Sequence, residues 1–431
     1  MKHTLYHTKL NSGTRIMFVN VPGSRSYYFN TICNAGYNYA SYDKFELPHL
    51  LEHLAFEGSK KFPELGQMSY ELERLGGWYN AYTDTADITY FLIGSIVDYR
   101  KITELGLEQY TSPLFRPKNI AEQKKVVERE FKRSIDNDDD RIRNLTMSRL
   151  FPDRPVFAQQ RIDTLKGISK DDIESYYKAT HTQANTVFVI SGDLDSSKQK
   201  VITEMIAKSL GALPVGKRLL KVPMPELKNL KSIQSLPSKL KGQLHFSVTF
   251  IKKDYDPSIE FRAACLVASS IYNRGDSSRL FRKARNAGLA YTVNSGMYNG
   301  RDFAEFYIID RTDPHLAIQL FELCLTELGD IRDGNFTTEE LERAIGYEAG
   351  GCDTEYETSR DLANWYAPLF SSDEPLYSPS EFAAAVRKVK KDDVVRVLHQ
   401  FISKDNWMIS LVGHDAKKYE KEFNKIIQQN I

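Results

Sequence analysis

Apolar residues along the chain fall into two recurring kinds of stretch. Short runs rich in β-branched and aromatic residues predict strands over residues 15–21, 27–33, 86–94, 246–252 and 303–310. Apolar positions three and four apart predict helices over 47–57, 120–133, 262–271, 316–328 and 339–366. A long helical stretch separates the second and third strands, and turns such as Asn11-Ser12-Gly13 suit hairpins. The mixture predicts an α+β fold, a largely antiparallel sheet with helices packed on one face. The pattern does not fix the order of the strands.

The pattern also repeats. Ile168-Ser-Lys-Asp-Asp-Ile173 returns as Val389-Lys-Lys-Asp-Asp-Val394, and Asn185-Thr-Val-Phe-Val-Ile-Ser-Gly192 returns as Asn406-Trp-Met-Ile-Ser-Leu-Val-Gly413. Asp171 and Asp392, Asn185 and Asn406, and Gly192 and Gly413 all stand 221 residues apart. A single ungapped register through helix start, buried strand and glycine turn is the mark of an internal duplication. Two structurally similar domains are therefore expected, over residues 1–215 and 239–431, joined by a linker at 216–238. Pro214, Pro223, Pro225 and Pro237 interrupt the periodicity there, among seven Lys and Arg from Lys217 to Lys241. No aromatic residue interleaves with those cations, so a solvated linker fits better than a nucleic-acid surface.

Composition narrows the possibilities further. With 58 Lys+Arg against 57 Asp+Glu, the formal charge of +1 gives no general attraction to nucleic acid or anionic membrane. No apolar run approaches the ~18 residues of a membrane helix. The first twenty residues alternate and turn, with neither a signal-peptide core nor a transit pattern. Cys33, Cys265, Cys324 and Cys352 are scattered and lack C-x-x-C spacing, which argues against disulfide and thiolate–zinc frameworks. A reduced cytoplasm is the expected compartment.

The chemistry concentrates in one short segment. Pro48 precedes His49-Leu-Leu-Glu52-His53 inside a predicted helix. Positions i and i+4 share a helix face, so both imidazoles can reach one ion. Glu52 can touch a metal-bound water without ligating the metal. The arrangement is H-x-x-E-H, the mirror order of the zincin motif. Neutral imidazoles hold zinc, zinc lowers the pKa of its water to ~7, and a carboxylate accepts the proton as the water attacks a carbonyl. Composition alone would produce such a motif by chance in roughly one chain in a hundred.

A third protein ligand is then required. The 120–133 helix offers Glu122, Glu128 and Glu130. Its apolar face runs through Ile120, Val126, Val127 and Phe131, and Glu130 shares that face. Glu130 is therefore expected to point inward, with Glu122 and Glu128 turned more to solvent. A surface acid on a charged helix is the plainer alternative for Glu130 taken alone.

Together, His49-x-x-Glu52-His53 and the downstream Val126-Val127-x-x-Glu130 resemble the pitrilysin family of zinc metallopeptidases. The chain length is similar to its short two-domain branch, related to mitochondrial processing peptidase. Gly76-Gly77-x-x-Asn80-Ala81-x-Thr83, the 168–193 segment, and Ser277-Ser278-Arg279-Leu280-Phe281 ahead of Gly288-Leu289-Ala290-Tyr291 extend the likeness over most of the chain. The resemblance implies one zinc per chain on His49, His53 and Glu130, with Glu52 as catalytic base. It also implies that Tyr291 and Arg285 (or Arg282) touch the substrate carbonyl from the second domain. Asn80, Ala81 and Tyr82, just before a strand, would form the edge that binds an extended peptide. Where the family usually has another Glu, this chain has Gln123, which can accept a hydrogen bond but adds no charge.

The expected activity is zinc-dependent endopeptidase cleavage of peptides or unfolded segments inside a dimer cavity. Because one chain holds both the metal set and the Arg/Tyr pair, a homodimer is expected ahead of a pairing with a related subunit. Two rivals remain: a non-catalytic structural or adaptor subunit of the same fold, and a dedicated precursor-peptide processing protease. Family members of the non-catalytic kind typically lose the metal residues that this chain keeps.

Overall fold

The protein is described here from a computed structural model, for all residues except Met1, 220–221, 223–226, 228–229, 254 and 300–302. Lys221, Pro223, Pro225 and Lys228 of the expected linker thus lie outside the described residues. Strands β1 (Thr4–Lys9), β2 (Arg15–Asn20), β3 (Ser26–Cys33), β4 (Trp78–Thr83), β5 (Ile88–Ser95) and β6 (Thr186–Gly192) form one sheet. Their order is β1-β2-β6-β3-β5-β4, and only β2 and β6 run parallel. Strands β7 (Ser232–Pro237), β8 (Leu244–Lys253), β9 (Asn294–Asn299), β10 (Phe303–Thr312) and β11 (Met408–Gly413) form a second, in order β7-β11-β8-β10-β9. There too a single pair, β7 and β11, is parallel. The second sheet repeats the first without its outermost strand. The fold is the expected α+β, built twice.

Two compact units contain these sheets, and neither is continuous in sequence. The first unit comprises Met1–Lys132, Ala158–Val222 and Glu355–Leu376; the second comprises Arg133–Phe157, Pro223–Thr354 and Tyr377–Ile431. In each, most helices cover one face of the sheet, and one helix drawn from the other half of the sequence crosses the opposite face. On β2 the alternation serves both layers. Ile16 and Phe18 face the main helical core, while Met17 and Val19 pack against Leu362, Ala363 and Tyr366 of the helix Ser359–Ser371. In the second unit, Ile142 and Leu145 of the helix Asp138–Leu150 pack against Val412 of β11. These two helices correspond residue for residue at the 221-residue spacing. Coverage on both faces explains why β6 and β11 are buried along their whole length and read as continuous apolar runs.

Three sequence expectations are corrected. The stretch 339–366 is two helices, Thr338–Thr354 and Ser359–Ser371, and they belong to different units. Thr358 starts the second: its hydroxyl accepts the Asp361 N–H at 3.2 Å, and Asp361 accepts the Thr358 N–H at 3.0 Å. The first long helix ends at Leu54, which leaves Glu57 beyond it. Asn80, Ala81 and Tyr82 lie within strand β4, not before a strand, because residues 84–87 turn the chain into β5. Among the described residues, no helix is long and apolar enough to cross a membrane.

Candidate metal centre

The helix Leu47–Leu54 opens with Pro48 in its first turn, where the missing N–H costs nothing. Leu47, Leu50, Leu51 and Leu54 are buried at i, i+3, i+4 and i+7. That stripe leaves His49, Glu52 and His53 together on the other face. Glu130 approaches from the helix Pro117–Ser134, flanked by buried Val127 and Phe131. The two imidazole Nε2 atoms lie 3.2 Å apart, and Glu130 Oε2 is 3.8 Å from each. Glu130 is not inward-facing as expected: its side chain is 42% exposed, against 33% for Glu128. Its carboxylate closes the site from the solvent side.

Each imidazole has an acceptor at Nδ1, which selects the Nδ1–H tautomer of its neutral form. His49 Nδ1 lies 3.2 Å from Glu46 Oε2, and His53 Nδ1 lies 3.1 Å from Gln123 Oε1. Each Nδ1–H donates to its acceptor, so each Nε2 turns a lone pair toward the other. In those forms two lone pairs face each other at 3.2 Å beside a carboxylate, and a proton or a metal ion between them removes the repulsion. Bonds of ~2.0–2.1 Å to a tetrahedral zinc would separate its ligands by about 3.3 Å. The observed triangle is within about half an ångström of that, and two imidazoles with one carboxylate are a zinc-type donor set. Among the described residues this is the one group of three such side chains close enough to share an ion.

Behind the ligands stand groups the sequence reading did not assign. Glu46 is fully buried and is bonded by Arg161 on one oxygen and His49 on the other. Arg161 also donates to Tyr37 Oη at 2.6 Å, and its guanidinium lies 4.8 Å from the Tyr37 ring centroid and 4.5 Å from that of Phe131. A buried carboxylate persists only with such a partner. Gln123, whose missing charge left the tuning of the site in question, accepts from His53 and donates to the carboxylate of Glu57. Burial raises the Glu57 pKa, and the Gln123 bond opposes that rise. The second negative group therefore sits one hydrogen bond further from the imidazole. Glu52 accepts a 2.5 Å bond from the Thr83 hydroxyl, which ties it to the end of β4.

Sequence gave partial warning of these groups. Glu46 stands one helical turn before His49, and Thr83 closes a motif already noted. Nothing local marks Arg161, more than a hundred residues downstream.

Asn80, Ala81 and Tyr82 occupy β4, which among the described residues pairs with β5 alone and so leaves one edge free. Asn80 and Tyr82 are exposed and Ala81 is buried. Arg285 and Tyr291 belong to the second unit, where they meet: the Arg285 guanidinium lies 5.4 Å from the Tyr291 ring centroid. Tyr291 is 80% exposed. Arg282 is exposed on the same helix, Arg279–Asn286.

Fold and site together give a duplicated α+β protein in which two histidines and a glutamate, in the order of the inverted zincin motif, could hold a metal ion. Comparison with known proteins agrees. The family model "Insulinase (Peptidase family M16)" matches residues 31–161, and "Peptidase M16 inactive domain" matches residues 167–346. The chain belongs to the M16 family of peptidases, the pitrilysin family of zinc metallopeptidases. It is 23% identical over 421 residues to an uncharacterized zinc protease of Rickettsia felis, covering 94% of this chain and 96% of that one. It is 21% identical over 403 residues to the mitochondrial-processing peptidase subunit beta of Saccharomyces cerevisiae, covering 90% and 86%. The fold matches a crystal structure titled as a peptidase M16 inactive domain from Pseudomonas fluorescens, with TM-score 0.84 at 19% identity over 95% of this chain and 98% of that one.

Proposed function

We propose that this chain is a zinc-dependent endopeptidase that cleaves peptides or unfolded segments in a cavity enclosed by two copies. The observation that carries the reading is the convergence of two Nε2 lone pairs and the Glu130 carboxylate beside Glu52. His49, His53 and Glu130 would hold one zinc per chain. When bound, zinc acidifies water and polarises a carbonyl.

The remaining steps belong to the protein. Glu52, oriented by Thr83, accepts a proton from the attacking water and passes it to the leaving amine. The free edge of β4 binds substrate as an added strand through Asn80, Ala81 and Tyr82, which favours extended peptides with little sequence preference. Tyr291 and Arg285, from the second domain, stabilise charge developing on the carbonyl oxygen. That one chain carries both sets supports a homodimer, with a related subunit as the alternative partner. Four scattered cysteines without C-x-x-C spacing suit a reducing compartment, the cytoplasm in this reading.

Glu52→Gln tests the assignment. The variant should keep its metal, measured by elemental analysis, and lose at least ~10²-fold in cleavage rate. Full activity would sink the mechanism.

A further inference from the structure

The second unit contains a cavity of about 980 Å³ that none of the candidate metal ligands lines. It lies on the sheet face that the helix Asp138–Leu150 crosses, over strands β8, β10 and β9. Ala304, Phe306 and Ile308 of β10 are buried on the helical side, which turns Glu305, Tyr307 and Ile309 to the cavity side. Tyr298 is the direct cross-strand neighbour of Glu305. Tyr307 lies over Gly296, where an added Cβ would meet its hydroxyl at 2.7 Å, so the glycine makes room for the ring. Tyr291 also lines the cavity.

Glu305 is the group these rings leave unexplained. Among the described residues it has no hydrogen bond and no ion pair. The two arginines of the wall are already committed, Arg311 to Asp139 at 3.0 Å and Arg143 to Asp140 at 3.1 Å. Burial without a partner pushes the Glu305 carboxyl up to about 7. A cation placed there would find a carboxylate with tyrosine rings on the neighbouring positions of the same sheet face, a pairing that accommodates a partly desolvated ammonium or guanidinium. The volume exceeds that of one side chain. Strand β9 borders it and, among the described residues, pairs with β10 alone, which leaves an edge able to pair with an extended backbone. Both features favour a peptide over a small free amine.

We propose that this cavity is a subsite for a lysine or arginine side chain of a peptide, held by Glu305 between Tyr298 and Tyr307. As a substrate subsite it rests on the peptidase reading; as a binding site it does not. The test uses the full chain carrying Glu52→Gln, so that binding is read without cleavage. Fluorescently labelled Ser/Ala peptides bearing one Lys are titrated beside counterparts with Gln at that position. The Lys peptides should bind about tenfold more tightly. Glu305→Gln, added to the first substitution, should reduce that preference to near one, and Glu305→Lys should turn it toward Glu-bearing peptides. A preference that persists in both variants, or none in the parent, overturns the subsite.

Cleavage by the unmutated chain separates the two readings. If neutral peptides are cut but no Lys preference exists, the subsite fails and the peptidase stands. If nothing is cut but binding depends on Glu305, the reverse holds.

Discussion

The two units share a strand order, yet among the described residues only one brings together three side chains able to hold a metal ion. The helix Pro117–Ser134 of the first unit corresponds to Thr338–Thr354 of the second, 221 residues on. At that spacing Glu130 falls on Gly351 and Gln123 on Ala344. Positions that pack behave differently. Ile173 and Val394 are both buried, as are Phe188 and Ile409. Asn185 and Asn406 make the same bond, each amide donating to the carbonyl five residues earlier, at 2.8 and 3.0 Å. Burial and backbone satisfaction are demands of the fold and recur wherever it recurs. Ligands are demands of one site, and the copy without that site does not hold them.

The sharpest way to break this comparison is at the ligand itself. Glu130→Ala should remove stoichiometric zinc, with a loss in metal affinity beyond ~100-fold, whereas Gly351→Ala should leave metal content unchanged. Elemental analysis after dialysis reads both. Equal effects would mean that the units do not differ as described.

Next in size is the support behind His49. Arg161→Met leaves the buried Glu46 charge without its cation and should cost about 3–5 kcal/mol in urea unfolding. Glu46→Gln in the same background should recover much of that loss, because the uncompensated charge is then gone.

A smaller effect separates the units by pH. In the first unit, burial pushes His181 down to about 3. A base lowered in the fold contributes stability that is complete above about pH 6.5 and is lost as pH falls toward 3. In the second, burial pushes Glu305 and Asp310 up to about 7. An acid raised in the fold contributes stability that is complete below its unfolded value and is lost as pH rises through about 7. Amide hydrogen exchange should show protection around His181 falling in acid and protection around Glu305 and Asp310 falling toward alkaline pH. Glu305→Gln should stabilise the second unit at pH 8 by on the order of 3 kcal/mol and leave it unchanged at pH 4. The same gain at both pH values would contradict the assignment.

What could be read in the sequence was whatever is local. His49, Glu52 and His53 are set on one helix face by spacing alone, beside a leucine stripe that leaves no other face for them. The Glu130 side chain was placed on the right face but at the wrong depth, since periodicity gives direction around a helix and not how far a carboxylate stands from solvent. The break between Thr338–Thr354 and Ser359–Ser371 was hidden because apolar spacing continues across it, while the signal that ends it is the Thr358–Asp361 capping pair. The exchange of helices between the units, Arg161 behind Glu46, and the cavity around Glu305 depend on contacts between distant segments. On a half-exposed strand, Glu305 reads like any solvent-facing acid; only the neighbouring rings and the committed arginines make it unusual.

The most direct test of the central claim is cleavage of a mixed, mass-resolved peptide pool by the purified full chain, with and without a chelator. The account predicts cleavage that the chelator abolishes and added zinc restores, with Glu52→Gln inert under the same conditions. A chain that neither binds metal nor cuts any peptide would contradict it, and would leave the structural-subunit reading in its place.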